Sequence, residues 1–470
     1  MKLNRLINFN LKGKCMENLE KIKLLALSPF DGRYFGVGEL LSPYFSEYAL
    51  IKNRVKVEVY WLVFLLENIS EIKSKYNLSI KEIYNNFDEN SALKVKEIES
   101  ITKHDVKACE IFVANELKEI NLEKLVSLVH IGCTSEDITN CAYANMLKKG
   151  IENIWIKKAE ELILILKKVA KDNDKIPMLA HTHGQPATPT TISKEFLVYT
   201  SRLSKRLDKL KTAKYYAKFN GATGNYAAIN IAFLNENWED LSKKFIEEYL
   251  ELDFNTITTQ IEGADYIIEI FDIIKHFNNI MSDLDVDIWL YVSKKYIKQR
   301  TIKTEVGSST MPHKVNPINF ENSEGNIEIS NALLGAMTNK LAKSRLQRDL
   351  SGSTVIRNMG MAIAYSVQAL EQTIVGLSKI DINVEQINME LENNYSVLAE
   401  AIQTILRKYS VPNAYDMLKE LTRGKEITKE HISEFVSGLE ILSAKDKKML
   451  LELKPNEYIG IAEILVNKYL

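Results

Sequence analysis

Glycine and proline are scarce in this chain, 19 and 9 among 470 residues, and they gather in a few places. Long stretches therefore contain neither of the residues that most readily stop a helix, which points to an all-α protein. Cysteine is rarer still. Cys15, Cys109, Cys133 and Cys141 form no CxxC pair and no metal-ligand spacing, which excludes a disulfide framework and leaves reduced thiols in a cytoplasmic setting as the simplest reading. No apolar run approaches the roughly 20 residues needed to span a bilayer. Excess charge is missing too: Lys+Arg 61 against Asp+Glu 62 gives a net charge of -1, which argues against a broad nucleic-acid or membrane footprint. An anionic small molecule would need a local cluster of cations. No Gly-rich phosphate loop follows a strand, so no nicotinamide or flavin is implied.

What is present is helical periodicity. Residues 264–299 lack Gly and Pro, and Ile267, Ile270, Ile274, Phe277, Met281, Leu284, Ile288 and Tyr291 recur in steps of three and four, the seam of a helix packed lengthwise on others. Such a helix would be about 54 Å long at 1.5 Å per residue, so it should belong to a bundle, including one shared between subunits. Residues 151–171 and 191–219 carry the same pattern. Three regions follow, with a length prior of roughly 100–200 residues per domain. They are an N-terminal helical domain over 16–125, a central long-helix bundle over 126–375, and a C-terminal helical domain over 376–470 whose short amphipathic helices are separated by Pro412, Gly424 and Pro455. Residues 1–15 are basic and acid-free and read as a disordered leader. An organellar targeting peptide is the alternative, since Asn4, Arg5, Asn8 and Asn10 break any secretory apolar core.

Four segments carry candidate chemistry. The string GSSTMPHKVNP at 307–317 is rich in helix breakers and in side chains that donate, accept or carry a proton: Ser308, Ser309, His313, Lys314 and Asn316. Composition alone reads it as a surface loop. AHTHGQPATP at 180–189 is a second Gly/Pro-marked loop, opening a helix near Thr191; His181 and His183 lack a third ligand at a familiar spacing, so a histidine acid fits better than a metal. In HIGCTSEDITN at 130–140, Thr134 with Asp137 reads as a helix N-cap, and a helix N-terminus bearing Thr134 and Ser135 is also a natural anion site. Lys103-His104-Asp105-Val106 sits in a helical pattern, where a lone histidine is ordinarily a satisfied, partly buried residue.

The 307–317 string resembles the GSS-x-MP-x-K-x-NP signature of the fumarase/aspartase superfamily, whose members eliminate fumarate from succinyl-type substrates. With His313 and the other three segments it resembles the adenylosuccinate lyase branch, from about Leu27 to the C-terminus. The resemblance implies a helical, cofactor-free and metal-free homotetramer whose sites are shared between subunits, and a carbon–nitrogen lyase that expels fumarate from a succinylated purine nucleotide. It implies Ser308 as general base, His183 as general acid, His130 lining the pocket near the acid, and Lys314 with Asn316 stabilising a carbanion-like intermediate, while Ser309 holds a carboxylate. Thr134, Ser135, His104 and Asp105, with neighbouring Lys103, would meet substrate. Arg33, Tyr34, Gln260, Arg348 and the run Ser353, Thr354, Val355, Ile356, Arg357 match positions that hold the nucleotide and its phosphate, a task that suits the planar fork of arginine. One departure stands out: Gly263-Ala264 follow Gln260 where relatives carry a Pro-His pair. The alternatives are another fumarate-releasing lyase, acting on argininosuccinate, malate or aspartate, and a scaffold that has lost catalysis.

Overall fold

The computed structural model describes residues 19–73, 77–300, 310–311, 313–424 and 426–470. The leader 1–15 and the residues Gly307, Ser308 and Ser309 lie outside them. The described residues are overwhelmingly helical, with three two-stranded sheets. They divide into two compact units. One gathers the described residues among 1–159, 206–278 and 325–369, and the other those among 160–205, 279–324 and 370–470. Among the described residues no helix is long and apolar enough to cross a membrane.

In the first unit the Glu47–Asn68 helix is the hub. Ser46 caps it by accepting from the Ala49 amide, and most of its side chains are buried, from Leu50 and Val55 to Leu66. Around it pack the Phe35–Phe45, Glu89–Thr102, Asp105–Glu119 and Ser135–Gly150 helices. Trp61 sits against Phe64, Phe219 and Phe245 with ring centroids 5.5, 4.4 and 5.0 Å apart. The sequence reading takes 151–171 as a helical stretch free of Gly and Pro. In the structure Ser135–Gly150, a π turn at Ile151–Trp155 and Ile156–Asp172 follow one another with right-handed helical backbone at both junctions. Gly150 serves packing: a Cβ there would lie 2.3 Å from Cζ of Phe45. A second correction concerns residues 103–106, where Lys103 and His104 are a break between helices and Asp105 and Val106 open the next one. Lys103 ends Glu89–Thr102 in the left-handed region at φ 56°, and His104 caps Asp105–Glu119 by accepting the Lys107 amide on Nδ1 at 3.2 Å.

The long seam helix spans Asp265–Ser293, 29 residues or about 44 Å, shorter than expected. Its apolar seam is buried as expected from Ile267 to Ile288. Lys295 then turns left-handed at φ 62°, and Ile297–Gln299 pairs antiparallel with Ile380–Ile382. Periodicity cannot see that pairing. Likewise 191–219 divides into the helix Ile192–Lys211 and the short strand Tyr216–Ala217, which pairs with Asp253–Phe254. In the second unit the expected loop at 180–189 is a β-hairpin: Pro177–Thr182 pairs with Gln185–Thr191 around His183-Gly184, both at positive φ (54° and 74°), the backbone of a tight two-residue turn. Four short helices, Ala399–Lys408, Ala414–Thr422, Lys429–Ser437 and Ala444–Glu452, form a satellite core around Leu406, Leu418 and Val436.

Candidate functional site

Four pieces of the first unit enclose a cavity of about 430 Å³, lined by Arg54, Lys103, His104, Asp105, Ser135, Glu136, Tyr143, Arg348, Ser353, Thr354 and Arg357, among others. The 103–104 break makes one wall, because the left-handed Lys103 redirects the chain and leaves Asp105 as the first residue of a helix. One oxygen of Asp105 accepts from Nη1 of Arg54 and from Nη2 of Arg357, both at 2.8 Å, while the other accepts the Val106 amide at 2.9 Å. Burial alone would raise the Asp105 pKa, but the Arg54 and Arg357 guanidiniums and that amide hold it below the usual carboxylate value. Arg357 also reaches Oε2 of Glu47 at 3.1 Å. Its planar group is thus fixed by two carboxylates.

Opposite stands the N-terminus of the Ser135–Gly150 helix. Thr134 and Asp137 form the predicted reciprocal cap, Oδ2 of Asp137 accepting the Thr134 amide at 2.8 Å. Asp137 is more deeply engaged than a cap requires: its other oxygen accepts the amides of Asn220 and Gly221 and pairs with Nζ of Lys218 at 2.8 Å, both side chains wholly buried. Ser135 is thereby left on the cavity wall. Arg348 binds Oε1 of Glu136 at 2.9 Å and donates to Oε1 of Gln260 at 3.0 Å, and Gln260 in turn donates to the carbonyl of Ala222. Burial pushes the Glu136 carboxyl up, with Arg348 opposing.

Lys103, His104, Asp105, Ser135, Arg348, Ser353, Thr354 and Arg357 are therefore brought to one cavity, with Gln260 behind Arg348. Arg33 is exposed, and Tyr34 packs on Phe30 with centroids 5.7 Å apart; neither lines this cavity. Nor do Val355 and Ile356, the latter buried. His130 is also elsewhere: its Nδ1 lies 2.6 Å from Oε1 of the fully buried Glu58, and its backbone is left-handed at φ 61°. Burial works against a charged ring there, yet the hydrogen bond and charge of Glu58 raise the His130 pKa above the ordinary value. Sequence reasoning passed over Arg54 and Glu58. The signal was a pair of opposite charges at i and i+4 on the face of a helix that also carries its apolar residues.

In the second unit His183 is exposed at the hairpin tip. His181 sits 3.3 Å from Oε1 of Glu390 without good hydrogen-bond geometry, and burial lowers its pKa. Lys314 is exposed and Asn316 half-buried. Among the described residues no three His, Cys, Asp or Glu side chains gather as metal ligands would.

Comparison with known proteins bears on what this constellation is. A lyase family model matches residues 45–328, and an adenylosuccinate lyase C-terminal model matches 344–459. The chain is 44% identical over 456 residues to an adenylosuccinate lyase of Buchnera aphidicola, covering 96% of this chain and 100% of that one. The adenylosuccinate lyase of Escherichia coli is 43% identical over 456 residues, with the same coverage. Among solved structures, a fumarate lyase from a Mesorhizobium species has a TM-score of 0.74 at 16% identity, covering 92% of this chain and 97% of its own. A 3-carboxy-cis,cis-muconate lactonizing enzyme from Pseudomonas putida has a TM-score of 0.72 at 18% identity, covering 92% and 96%. Those two establish the fold, and the near-full-length relatives establish more: the chain belongs to the adenylosuccinate lyase family of carbon–nitrogen lyases.

Proposed function

We propose that this enzyme eliminates fumarate from adenylosuccinate to give AMP, and from the corresponding succinylated imidazole ribotide, in purine nucleotide biosynthesis. The observation that carries this reading is the cavity of the first unit, which sets Arg54, Lys103, Arg348 and Arg357 around Ser135 at a helix N-terminus. With a net charge of only -1 over the whole chain, that local gathering of cations suits a nucleotide phosphate. Ser353 and Thr354 offer hydroxyls on the same wall.

Elimination needs a proton removed beside a carboxylate and another delivered to the departing nitrogen. Ser308 is the base and His183 the acid. Serine is a very weak acid, so its alkoxide depends on loop amides and on Lys314 and becomes competent once closure excludes water. Lys314 and Asn316 stabilise the dianionic, carbanion-like intermediate, the logic of an oxyanion hole, and Ser309 holds a substrate carboxylate. His130 lines the pocket near the acid. A homotetramer supplies each site from three subunits; the exposed apolar stripe Val286, Trp289 and Leu290 on the Asp265–Ser293 helix is the kind of surface such an assembly covers. The cytoplasm is the compartment consistent with reduced thiols.

The test is the ultraviolet absorbance change when purified enzyme meets adenylosuccinate in the presence of a metal chelator, beside Ser308→Ala. Formation of AMP and fumarate by wild type, and its collapse in the variant, is the expected outcome. Inertness toward both purine-pathway substrates with turnover of argininosuccinate would assign the chain to another branch; inertness toward all would leave a scaffold.

A further inference from the structure

The Glu47–Asn68 helix is largely buried, and it carries Glu58 with none of its surface exposed. A carboxylate is costly there unless a partner takes its charge. Its Oε1 has that partner in Nδ1 of His130 at 2.6 Å, whereas Oε2 is buried with no hydrogen-bond partner among the described residues. One turn further along the same helix, Nε1 of Trp61 donates to the carbonyl of Ile131 at 3.2 Å. Two side chains of one helix therefore grip consecutive residues of a segment whose backbone is already constrained: His130 and Gly132 are left-handed at φ 61° and 72°, and a Cβ on Gly132 would lie 2.7 Å from Ile229. The ring is held by one nitrogen, with 17% of the side chain still exposed.

We infer that Glu58 is a positioning residue for the elimination: it holds Nδ1 of His130 and sustains the imidazolium, so that Nε2 meets an anionic group of the substrate as a charged donor. The inference rests on the proposed place of His130 in the site. A carboxylate on one ring nitrogen fixes the proton there and so decides what the other nitrogen offers. The remaining charges facing the pair are fewer and better occupied. Glu110 faces both groups and Lys107 faces Glu58, but these two pair with each other at 2.6 Å. Asp137 also faces His130, and it is bound to Lys218.

The experiment compares wild type, Glu58→Gln, His130→Gln and the double variant, by NMR titration of the histidine ring protons and by kcat and KM for adenylosuccinate from pH 6 to 9. His130→Gln identifies the His130 resonance. In wild type that ring titrates above the ordinary value of about 6.5, and Glu58→Gln lowers its midpoint by ~1–3 pH units. The alkaline limb of kcat/KM moves down by the same amount, so lowering the pH restores part of the lost activity. Adding Glu58→Gln to His130→Gln changes kcat/KM by less than about twofold, because Glu58 acts through the ring. A wild-type His130 midpoint at or below the ordinary value overturns the inference even if Glu58→Gln does not fold, and so does an unmoved alkaline limb in a folded variant. A wild type inert toward adenylosuccinate would sink the proposed function instead, and the NMR titration would still decide whether Glu58 holds the ring charged.

Discussion

Removing Lys218 should destabilise the first unit by about 3 kcal/mol, and the geometry says why not more. Lys218 and Asp137 are wholly buried and 2.8 Å apart, and breaking such a pair from one side ordinarily costs ~3–5 kcal/mol because a charge is left without its counterion. Asp137 would keep three backbone donors, the amides of Thr134, Asn220 and Gly221 at 2.8, 3.0 and 3.2 Å, so its charge stays partly compensated and Lys218→Met falls at the lower end. The reverse substitution is worse. Asp137→Asn leaves an ammonium whose other partner is the carbonyl of Gly221 at 2.9 Å, and the cost should approach the upper end, ~5 kcal/mol. Removing both charges together should cost much less than the sum, since the double variant strands no charge. The assay is urea denaturation of the four proteins at one protein concentration, which holds any assembly contribution fixed. A loss under ~1 kcal/mol in Lys218→Met, or a double variant equal to the sum of the singles, would refute the reasoning. Because Asp137 anchors the helix that presents Ser135, Lys218→Met should also raise KM.

Two further outcomes follow from packing and burial. Gly150→Ala ought to stabilise a helix by roughly 1 kcal/mol on propensity, yet its Cβ would lie 2.3 Å from Phe45, and overpacking costs ~1–3 kcal/mol, so a net loss of urea resistance is expected, reversed when Phe45→Leu is added. A stabilised single variant would show that the Phe45 ring yields freely. Asp285 is fully buried beside hydroxyls of Thr373 and Ser323, and burial raises its folded pKa well above the unfolded value. Its favourable share of stability is complete below the unfolded pKa and lost as pH rises through the folded pKa, so the stability of Asp285→Asn relative to wild type should climb as pH rises above about 4, at up to ~1.4 kcal/mol per pH unit, until the folded carboxyl ionises. Urea midpoints across that range that keep a constant difference would rule out a neutral Asp285.

The helical class, the buried seam from Ile267 to Ile288 and the Thr134–Asp137 cap could all be read from the sequence, since each depends on neighbours within a few turns of one chain segment. The ends of the helices could not. Ser293 is followed by Ile297–Gln299, which finds Ile380–Ile382 some 80 residues away, and Gly150 stands inside a helical run where the Phe45 ring leaves no room for a Cβ. The same limit applies to the site. Lys103, Asp105, Arg348 and Arg357 carried a motif, while Arg54 and Glu58 lay inside a helix whose pattern says only that it is buried.

That burial is itself the information. A buried helix face gains little for its own stability from an arginine and a glutamate four residues apart, so each must be held by a group elsewhere in the fold. Arg54 is matched by Asp105, which also fixes Arg357 on the cavity wall, and Glu58 is matched by His130. The hub helix thus supplies the counter-charges that set the orientation of residues on two other segments. A substitution confined to this rod, such as Glu58→Gln, should therefore register in kinetics as well as in stability, where an apolar substitution of the same size on the same face should register in stability alone.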